Sequence, residues 1–381
     1  MNLAFFTNEY PHEKTGKSGG IGTSIKNLAQ SYLQLGNKVY VFVCYGNFDS
    51  FDDNGIKIIA VNSGIKLRGL LGVYLKRKEI EHKTNNYIKL YGIDYIEVAD
   101  WAGIAAFINF NCKKVVKFHG SDAYFCQLEG RKQKMKNYFY EFLNIKNADI
   151  FISVSKYAAE LTKSIFHLKN KEINIIYNGI YLNYFTPTEQ YKTDKASPVI
   201  LYLGTLIRKK GCLEIPLIFN EVLKLRPDTK LIIAGKDTND IATGNISTWE
   251  MMKPLFNNIS QVDYVGPLPH DEVKNIISQA DVCIYPSYAE AFPMTWLEAM
   301  AMQKAIVASD IGWANEMIED GKSGYLVNPK NHQLFAEKIV KITSDINLQK
   351  QLGIQARKVV EERFDIKNIA IQHIEIFNNY K

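Results

Sequence analysis

Val282-Cys283-Ile284-Tyr285-Pro286-Ser287-Tyr288-Ala289-Glu290-Ala291-Phe292-Pro293-Met294-Thr295-Trp296-Leu297-Glu298 is the stretch on which the fold turns. The apolar run Val282 to Tyr285 reads as a strand that stops at Pro286-Ser287. Glu290 then falls on the following loop, and Glu298 lies about one turn into a helix that continues through Ala299-Met300-Ala301. In open α/β sheets, ligands gather in the crevice outside the carboxyl ends of the strands. Helix amino termini in that crevice attract phosphate. Two carboxylates in this setting point to a phosphorylated, hydroxyl-rich ligand.

The same strand-to-helix grammar recurs outward from this stretch. Strand-type runs fall at Leu3–Thr7, Lys38–Cys44, Ile56–Val61, Tyr95–Glu97, Val115–Phe118, Ile150–Val154 and Ile173–Ile176. After a polar stretch, Thr186–Ser197, they resume at Val199–Leu203, Lys230–Ala234, Val262–Val265, Val282–Tyr285, Ala305–Ala308 and Gly324–Val327. Helical segments fit the intervals, for example Ser24–Leu35, Glu214–Lys224, His270–Ser278, Trp296–Met302 and Leu334–Ser344. Alternation of this kind builds parallel sheets from βαβ units. Two successive sets predict an α/β protein of two doubly wound, Rossmann-like domains facing each other across a cleft, residues 1–185 and 186–365. The helical tail, residues 366–381, can pack back on the first domain.

A chain of 381 residues has the length of about two domains. Its 46% hydrophobic and 23% charged content is that of an ordinary globular protein. The first residues, Met1 to Glu9, read as a strand rather than a targeting leader. No apolar run approaches the roughly 20 residues of a membrane span. The five cysteines, Cys44, Cys112, Cys126, Cys212 and Cys283, show no paired spacing. That pattern argues against disulfides and thiolate zinc sites and predicts a reducing, cytoplasmic setting.

Charge is uneven. Residues 1–190 carry 24 Lys and Arg against 17 Asp and Glu, and the remainder carries 22 against 23. Lys66-Leu67-Arg68-Gly69-Leu70-Leu71, Lys76-Arg77-Lys78 and Arg131-Lys132-Gln133-Lys134-Met135-Lys136 mix cations with apolar side chains. Such segments serve either as solvated helix faces or as peripheral docking surfaces for anionic lipid on the inner face of the cytoplasmic membrane. Nucleic acid is not an expected partner, because no nucleic-acid motif and no regular aromatic interleaving accompany the cations.

Three further segments carry chemistry. Ser18-Gly19-Gly20-Ile21-Gly22-Thr23 follows the first strand and opens a helix, so its backbone can approach a phosphate closely. Its glycine spacing is not that of the dinucleotide fingerprint. His119, in Phe118-His119-Gly120-Ser121-Asp122, sits just past a strand and can donate to a sugar hydroxyl or a phosphate oxygen. Gly204-Thr205-Leu206-Ile207-Arg208-Lys209-Lys210-Gly211 places three adjacent cations at a strand-to-helix turn, which suits a diphosphate. Glu298 suits a bidentate grip on two ribose hydroxyls, with Glu290 facing the sugar. There is no Asp-x-Asp motif to hold a metal-bound diphosphate, so cations and helix dipoles would neutralise the leaving group.

Together these segments resemble the retaining glycosyltransferases of family 4, which have the GT-B fold. The resemblance is strongest in Ala280 to Ser287, Glu290 and Glu298-Ala299-Met300-Ala301, and continues through Ser309-Asp310-Ile311-Gly312, Glu316 and Asp320-Gly321-Lys322-Ser323-Gly324. Tyr177-Asn178-Gly179 looks like the family's turn before the interdomain linker, and Gly235 like the glycine closing the second strand of the donor domain. The resemblance implies that Gly19, Gly20 and Gly204 approach the donor diphosphate and that His119 contacts the transferred sugar. It implies that Arg208 and Lys210 neutralise the diphosphate, that Glu290 contacts the sugar, and that Glu298 binds the ribose. Val265, Gly266 and Pro267 would border the nucleobase, and Met294 and Thr295 would offer N–H groups to phosphate. Three positions depart from the family pattern. Thr205 stands where many members have arginine, Pro293 stands where glycine is usual and has no N–H to give, and Trp313 replaces the second glycine of a common pair.

The expectation is therefore a retaining, metal-independent transfer of sugar from a nucleotide-diphosphate donor, UDP-sugar favoured, with no cofactor. The acceptor would be a carbohydrate or a lipid-linked glycan, in bacterial surface polysaccharide or glycolipid synthesis. The first domain would bind the acceptor and the second the donor. A sugar-nucleotide epimerase of GT-B type and an inactive nucleotide-sugar or polysaccharide-binding protein are the rival readings.

Overall fold

In the computed structural model, which describes residues 1–16, 18–187 and 197–380, the chain divides into two units. One comprises Met1–Gly179 together with the tail from Ile366, and the other comprises Ile180–Asp365. Of the polar stretch Thr186–Ser197, residues 188–196 lie outside the described residues. Residues 180–185, placed in the first domain from sequence, belong with the second unit. The Ile180 amide donates to the Phe364 carbonyl at 2.9 Å, and Arg357 Nη1 donates to the Phe185 carbonyl at 2.7 Å.

The first unit is built on a sheet of eight strands among the described residues. They are β1 (Asn2–Thr7), β2 (Lys38–Cys44), β3 (Ser50–Asp53), β4 (Ile56–Val61), β5 (Tyr95–Ala99), β6 (Lys113–Phe118), β7 (Ile150–Ser153) and β8 (Asn174–Ile175). Their order is β3-β4-β2-β1-β5-β6-β7-β8. Every pairing is parallel except β3 with β4. That hairpin adds one antiparallel edge strand to the parallel sheet read from the sequence. Asp53-Asn54-Gly55 turns it, with Asn54 at φ 54° and Gly55 at φ 89°, the paired left-handed residues that suit a tight hairpin. Among the described residues, five helices lie in the crossovers: α1 (Gly20–Gln34), α2 (Gly69–Tyr91), α3 (Asp122–Glu129), α4 (Met135–Lys146) and α5 (Lys156–Ile165). In α1, Ile25, Leu28, Ala29 and Tyr32 are buried, the one-face spacing of an amphipathic helix.

The second unit carries six parallel strands among the described residues. These are β9 (Val199–Leu203), β10 (Lys230–Ala234), β11 (Val262–Gly266), β12 (Val282–Tyr285), β13 (Ala305–Ser309) and β14 (Tyr325–Val327), in the order β11-β10-β9-β12-β13-β14. Helices α6 (Glu214–Leu225), α7 (Thr248–Met252), α8 (His270–Gln279), α9 (Met294–Ala301), α10 (His332–Ser344) and α11 (Ile346–Arg363) accompany them. Ile200, Tyr202, Leu231, Ile233, Val282, Ile284 and Val307 pack with Phe219 and Phe335 into one buried core. Strands covered on both faces read as near-continuous apolar runs, which is why these were legible.

The chain then returns to the first unit as α12 (Ile366–Asn379). Tyr95 Oη donates to the Phe377 carbonyl at 2.6 Å, and the two rings stack at 4.7 Å. A side chain at Gly179 would put its Cβ 2.7 Å from Ile366 Cα, so the Asn178-Gly179 turn leaves room for this crossing.

Strand order locates the crevices. In each unit the two central strands, β1 with β5 and β9 with β12, are neighbours in space and remote in sequence. Adjacent loops therefore leave the sheet in opposite directions and open a site at the carboxyl ends.

Candidate active site

In the second unit the crevice lies past β9 and β12. Gly204 directly follows β9, and its amide donates to the Ala234 carbonyl at 2.9 Å. The amide of Gly235 donates to the Gly266 carbonyl at 2.8 Å. A Cβ on Gly235 would fall 1.9 Å from the Gly204 carbonyl oxygen, so the three glycines pin three strand ends together. Val265, beside Gly266, is partly exposed.

The turn from Arg208 to Gly211 crosses directly over the end of β12. Gly211 has φ 66°, and its missing Cβ would lie 1.8 Å from the Pro286 carbonyl oxygen. The Lys209 carbonyl accepts from the amides of Tyr288 and Ala289 at 2.8 and 3.1 Å. These backbone contacts deliver Lys210 to Glu290, Nζ to Oε1 at 2.8 Å. Both side chains are largely shielded, at 21% and 12% exposure. Burial acts to lower the Lys210 pKa, but the charge and hydrogen bond of Glu290, aided by Glu298, win and raise it. The ammonium is therefore a fixed positive charge.

Glu298 lies on α9 and is buried. Burial pushes its carboxyl up to about 7, and the Lys210 charge limits the rise. Tyr285 Oη donates to the Thr295 carbonyl at 2.9 Å, and the Tyr285 and Trp296 rings stack at 5.7 Å. Strand β12 thus anchors the first turn of α9. Pro293 is the N-cap residue, with no side-chain cap. Its missing N–H removes nothing from the helix dipole, because the donors of the first turn belong to Met294, Thr295 and Trp296.

The sequence resemblance gave the Arg208 guanidinium to the diphosphate. In the structure, Nε and Nη2 hold the two oxygens of Asp240 at 2.9 and 2.8 Å. Asp240 also accepts from the amide and hydroxyl of Thr243 at 3.0 and 2.7 Å. The Arg208 hydrogen bond leads the causes that hold the Asp240 carboxyl far below its usual range. Arg208 is thus neutralised by a bidentate partner on the 235–247 loop, and Lys210 is the cation next to the two glutamates. Asp240 went unnoticed in the sequence because one aspartate in a polar loop carries no signal.

In the first unit the corresponding crevice lies past β1, β5 and β6. Gly19 is the N-cap of α1, and Gly20 opens the helix. The helix start already meets an anion. Glu9, two residues past β1, accepts from the Gly19 amide at 2.8 Å and from the Gly22 amide at 2.9 Å. The protein thus caps this helix start with its own carboxylate. His119 is half-buried, and its amide donates to Asp100 Oδ1 at 2.8 Å. Burial, then the Lys117 charge, hold the imidazole pKa well below its ordinary value. A neutral imidazole can donate one hydrogen bond and accept another. Asp100 sits just beyond β5, fully buried. Burial pushes its carboxyl up to about 8, and Oδ2 has no hydrogen-bond partner among the described residues. Asp100 was legible by the rule that singled out Glu290, a carboxylate at the carboxyl end of a strand, yet was missed.

Known proteins match both halves of the chain. The model for glycosyl transferases group 1 matches residues 186–359, and the model for glycosyltransferase family 4 matches residues 18–184. Glycosyltransferase MJ1607 of Methanocaldococcus jannaschii is 24% identical, over 99% of this chain and 98% of that protein. Among solved structures, sucrose-phosphate synthase from Thermosynechococcus elongatus superposes with a TM-score of 0.82 at 20% identity, covering 100% of this chain and 99% of that one. Anabaena HepE in complex with UDP-glucose superposes with a TM-score of 0.69 at 20% identity, covering 99% of each chain.

Proposed function

The chain belongs to the family 4, or group 1, glycosyltransferases of GT-B fold, and on that premise we propose that it transfers a sugar from a UDP-sugar to a lipid-linked or carbohydrate acceptor with retention at the anomeric carbon. The observation that carries the reading is the meeting of Lys210, Glu290 and Glu298 at the β9/β12 switch point of the second unit. HepE, a structural neighbour, binds UDP-glucose, and the same donor class fits a site with one buried cation between two carboxylates.

In this reading the second unit holds the donor. Glu298 accepts from the two ribose hydroxyls, the Val265-Gly266-Pro267 backbone borders the base, and the Met294 and Thr295 amides face the diphosphate. Lys210 neutralises the charge that builds on the diphosphate as the bond from the anomeric carbon to its oxygen breaks. Glu290 orients Lys210 and accepts from the sugar. The acceptor hydroxyl, bound by the first unit, attacks the same face, and its proton passes to the departing phosphate oxygen. Gly20 approaches the diphosphate, and His119 contacts the transferred sugar. Neither a metal ion nor a cofactor takes part. The cationic first half of the chain favours an acceptor presented at the inner face of the cytoplasmic membrane, in polysaccharide or glycolipid synthesis.

Diphosphate release from a panel of UDP-, GDP- and ADP-sugars, with and without EDTA, tests this reading. Acceptor-dependent release insensitive to EDTA, with retained configuration in the product, is expected. Donor isomerisation without release would instead mark an epimerase, and tight binding without turnover a binding protein.

A further inference from the structure

We propose that α2, the segment before it and the start of α4 form one docking surface for an anionic lipid bilayer. Leu67, Leu70, Leu71, Tyr74 and Leu75 are exposed by 48, 61, 62, 40 and 37%. On α2 the last four recur at i, i+1, i+4 and i+5, which sets them on one face. Met135 and Phe139 of α4 are exposed by 79 and 44%. Phe107 joins the two ridges, its ring lying 5.5 Å from Tyr74 and 6.2 Å from Phe139. Phe107 holds φ 65°, a left-handed backbone that a bulky residue adopts only under tertiary constraint. The exposed leucines and the α4 residues therefore belong to one continuous face of the first unit.

Cations rim that face. Lys66, Arg68, Lys132, Lys134 and Lys136 are exposed, and none of them makes an ion pair among the described residues. By contrast Lys78 is paired with Glu81 and Arg131 with Asp122. Leucine, methionine and phenylalanine side chains projecting between unpaired cations match the boundary of a bilayer, where hydrocarbon lies just beneath anionic headgroups. The like charge of the rim opposes pairing with a second copy of the chain, and the leucines have no partner on a nucleic acid backbone. No helix of the described residues is long and apolar enough to span a membrane, so the contact is peripheral. This surface deepens the reading of a lipid-linked acceptor, and rests on that reading for its purpose but not for its existence.

The test is co-sedimentation of the full chain with vesicles of phosphatidylcholine alone or mixed with phosphatidylglycerol. The mixed vesicles are expected to bind at least about tenfold more tightly, with affinity falling as salt rises. Leu70→Ser with Leu71→Ser should weaken binding about tenfold or more, and Lys132→Glu, Lys134→Glu and Lys136→Glu together about a hundredfold or more. All five positions are exposed, so melting temperatures should not move. Equal binding to both vesicle types, or variants that bind as the parent does, would overturn the proposal. So would a surface lost only because the same variants dissolve a dimer. Diphosphate release from soluble substrate is read separately, so loss of docking and loss of transferase activity remain distinct outcomes.

Discussion

Glu298→Gln should make the second unit more stable above neutral pH while weakening the donor. The carboxyl rises from its ordinary value of 4.5 to about 7 because folding buries it. Each pKa unit is worth about 1.4 kcal/mol, so ionising Glu298 in the folded protein costs about 3 kcal/mol. Below its unfolded pKa the residue is protonated in both states and no cost exists. The cost sets in as pH rises through 4.5 and is complete above about 7. Glutamine has nearly the same shape and no charge, so the variant should exceed the parent by about 1 kcal/mol near pH 5 and about 3 kcal/mol near pH 8. Denaturant titration followed by tryptophan fluorescence measures this well, because Trp249, Trp296 and Trp313 all lie in the second unit. The same substitution removes one charged acceptor from the ribose, which should raise the donor KM about tenfold or more. In the parent, the donor KM should climb as pH falls below about 7 and protonation removes the carboxylate. A variant less stable than the parent near pH 8, or a stability gap that ignores pH, would refute the burial argument.

Lys210→Ala should lower kcat about a hundredfold or more and also destabilise the second unit, since it leaves Glu290 buried without its cation. Adding Glu290→Gln should restore the melting temperature and leave turnover low, whereas recovery of both would make the lysine purely structural. Arg208→Ala should reduce kcat far less than Lys210→Ala, because Asp240 already neutralises the guanidinium; equal losses in a diphosphate-release assay would return Arg208 to the leaving group. Gly235→Ala would force a Cβ to 1.9 Å from the Gly204 carbonyl oxygen and should lower stability by about 2 kcal/mol or more in thermal melts. A neutral result there would mean that the strand ends move freely.

Much of this protein follows from local pattern. The boundaries of β2, β4, β9, β10 and β12 coincide with the apolar runs that marked them, because a strand buried on both faces leaves little choice of residue. The β3–β4 hairpin was equally legible, since Asp53-Asn54-Gly55 is a turn signal with a known geometry, but the four polar-rich residues of β3 gave no alternation to pair it with. Glu290 and Glu298 could be placed on a loop and a helix start because strand, proline and helix follow in unbroken order. Partnership was different. Lys210 meets Glu290 only because β9 and β12, far apart in sequence, lie side by side. Asp240 reaches Arg208, and Glu9 caps α1, through loops whose course no periodicity encodes.

Sequence alone thus determined the class of the fold, the ends of its main strands and the positions of its chemistry-bearing residues, because secondary structure and burial leave a periodic trace in residue choice. Tertiary structure alone decided which charges pair with one another. A salt bridge depends on a separation of a few ångströms between side chains, and that separation is set by strand order rather than by distance along the chain.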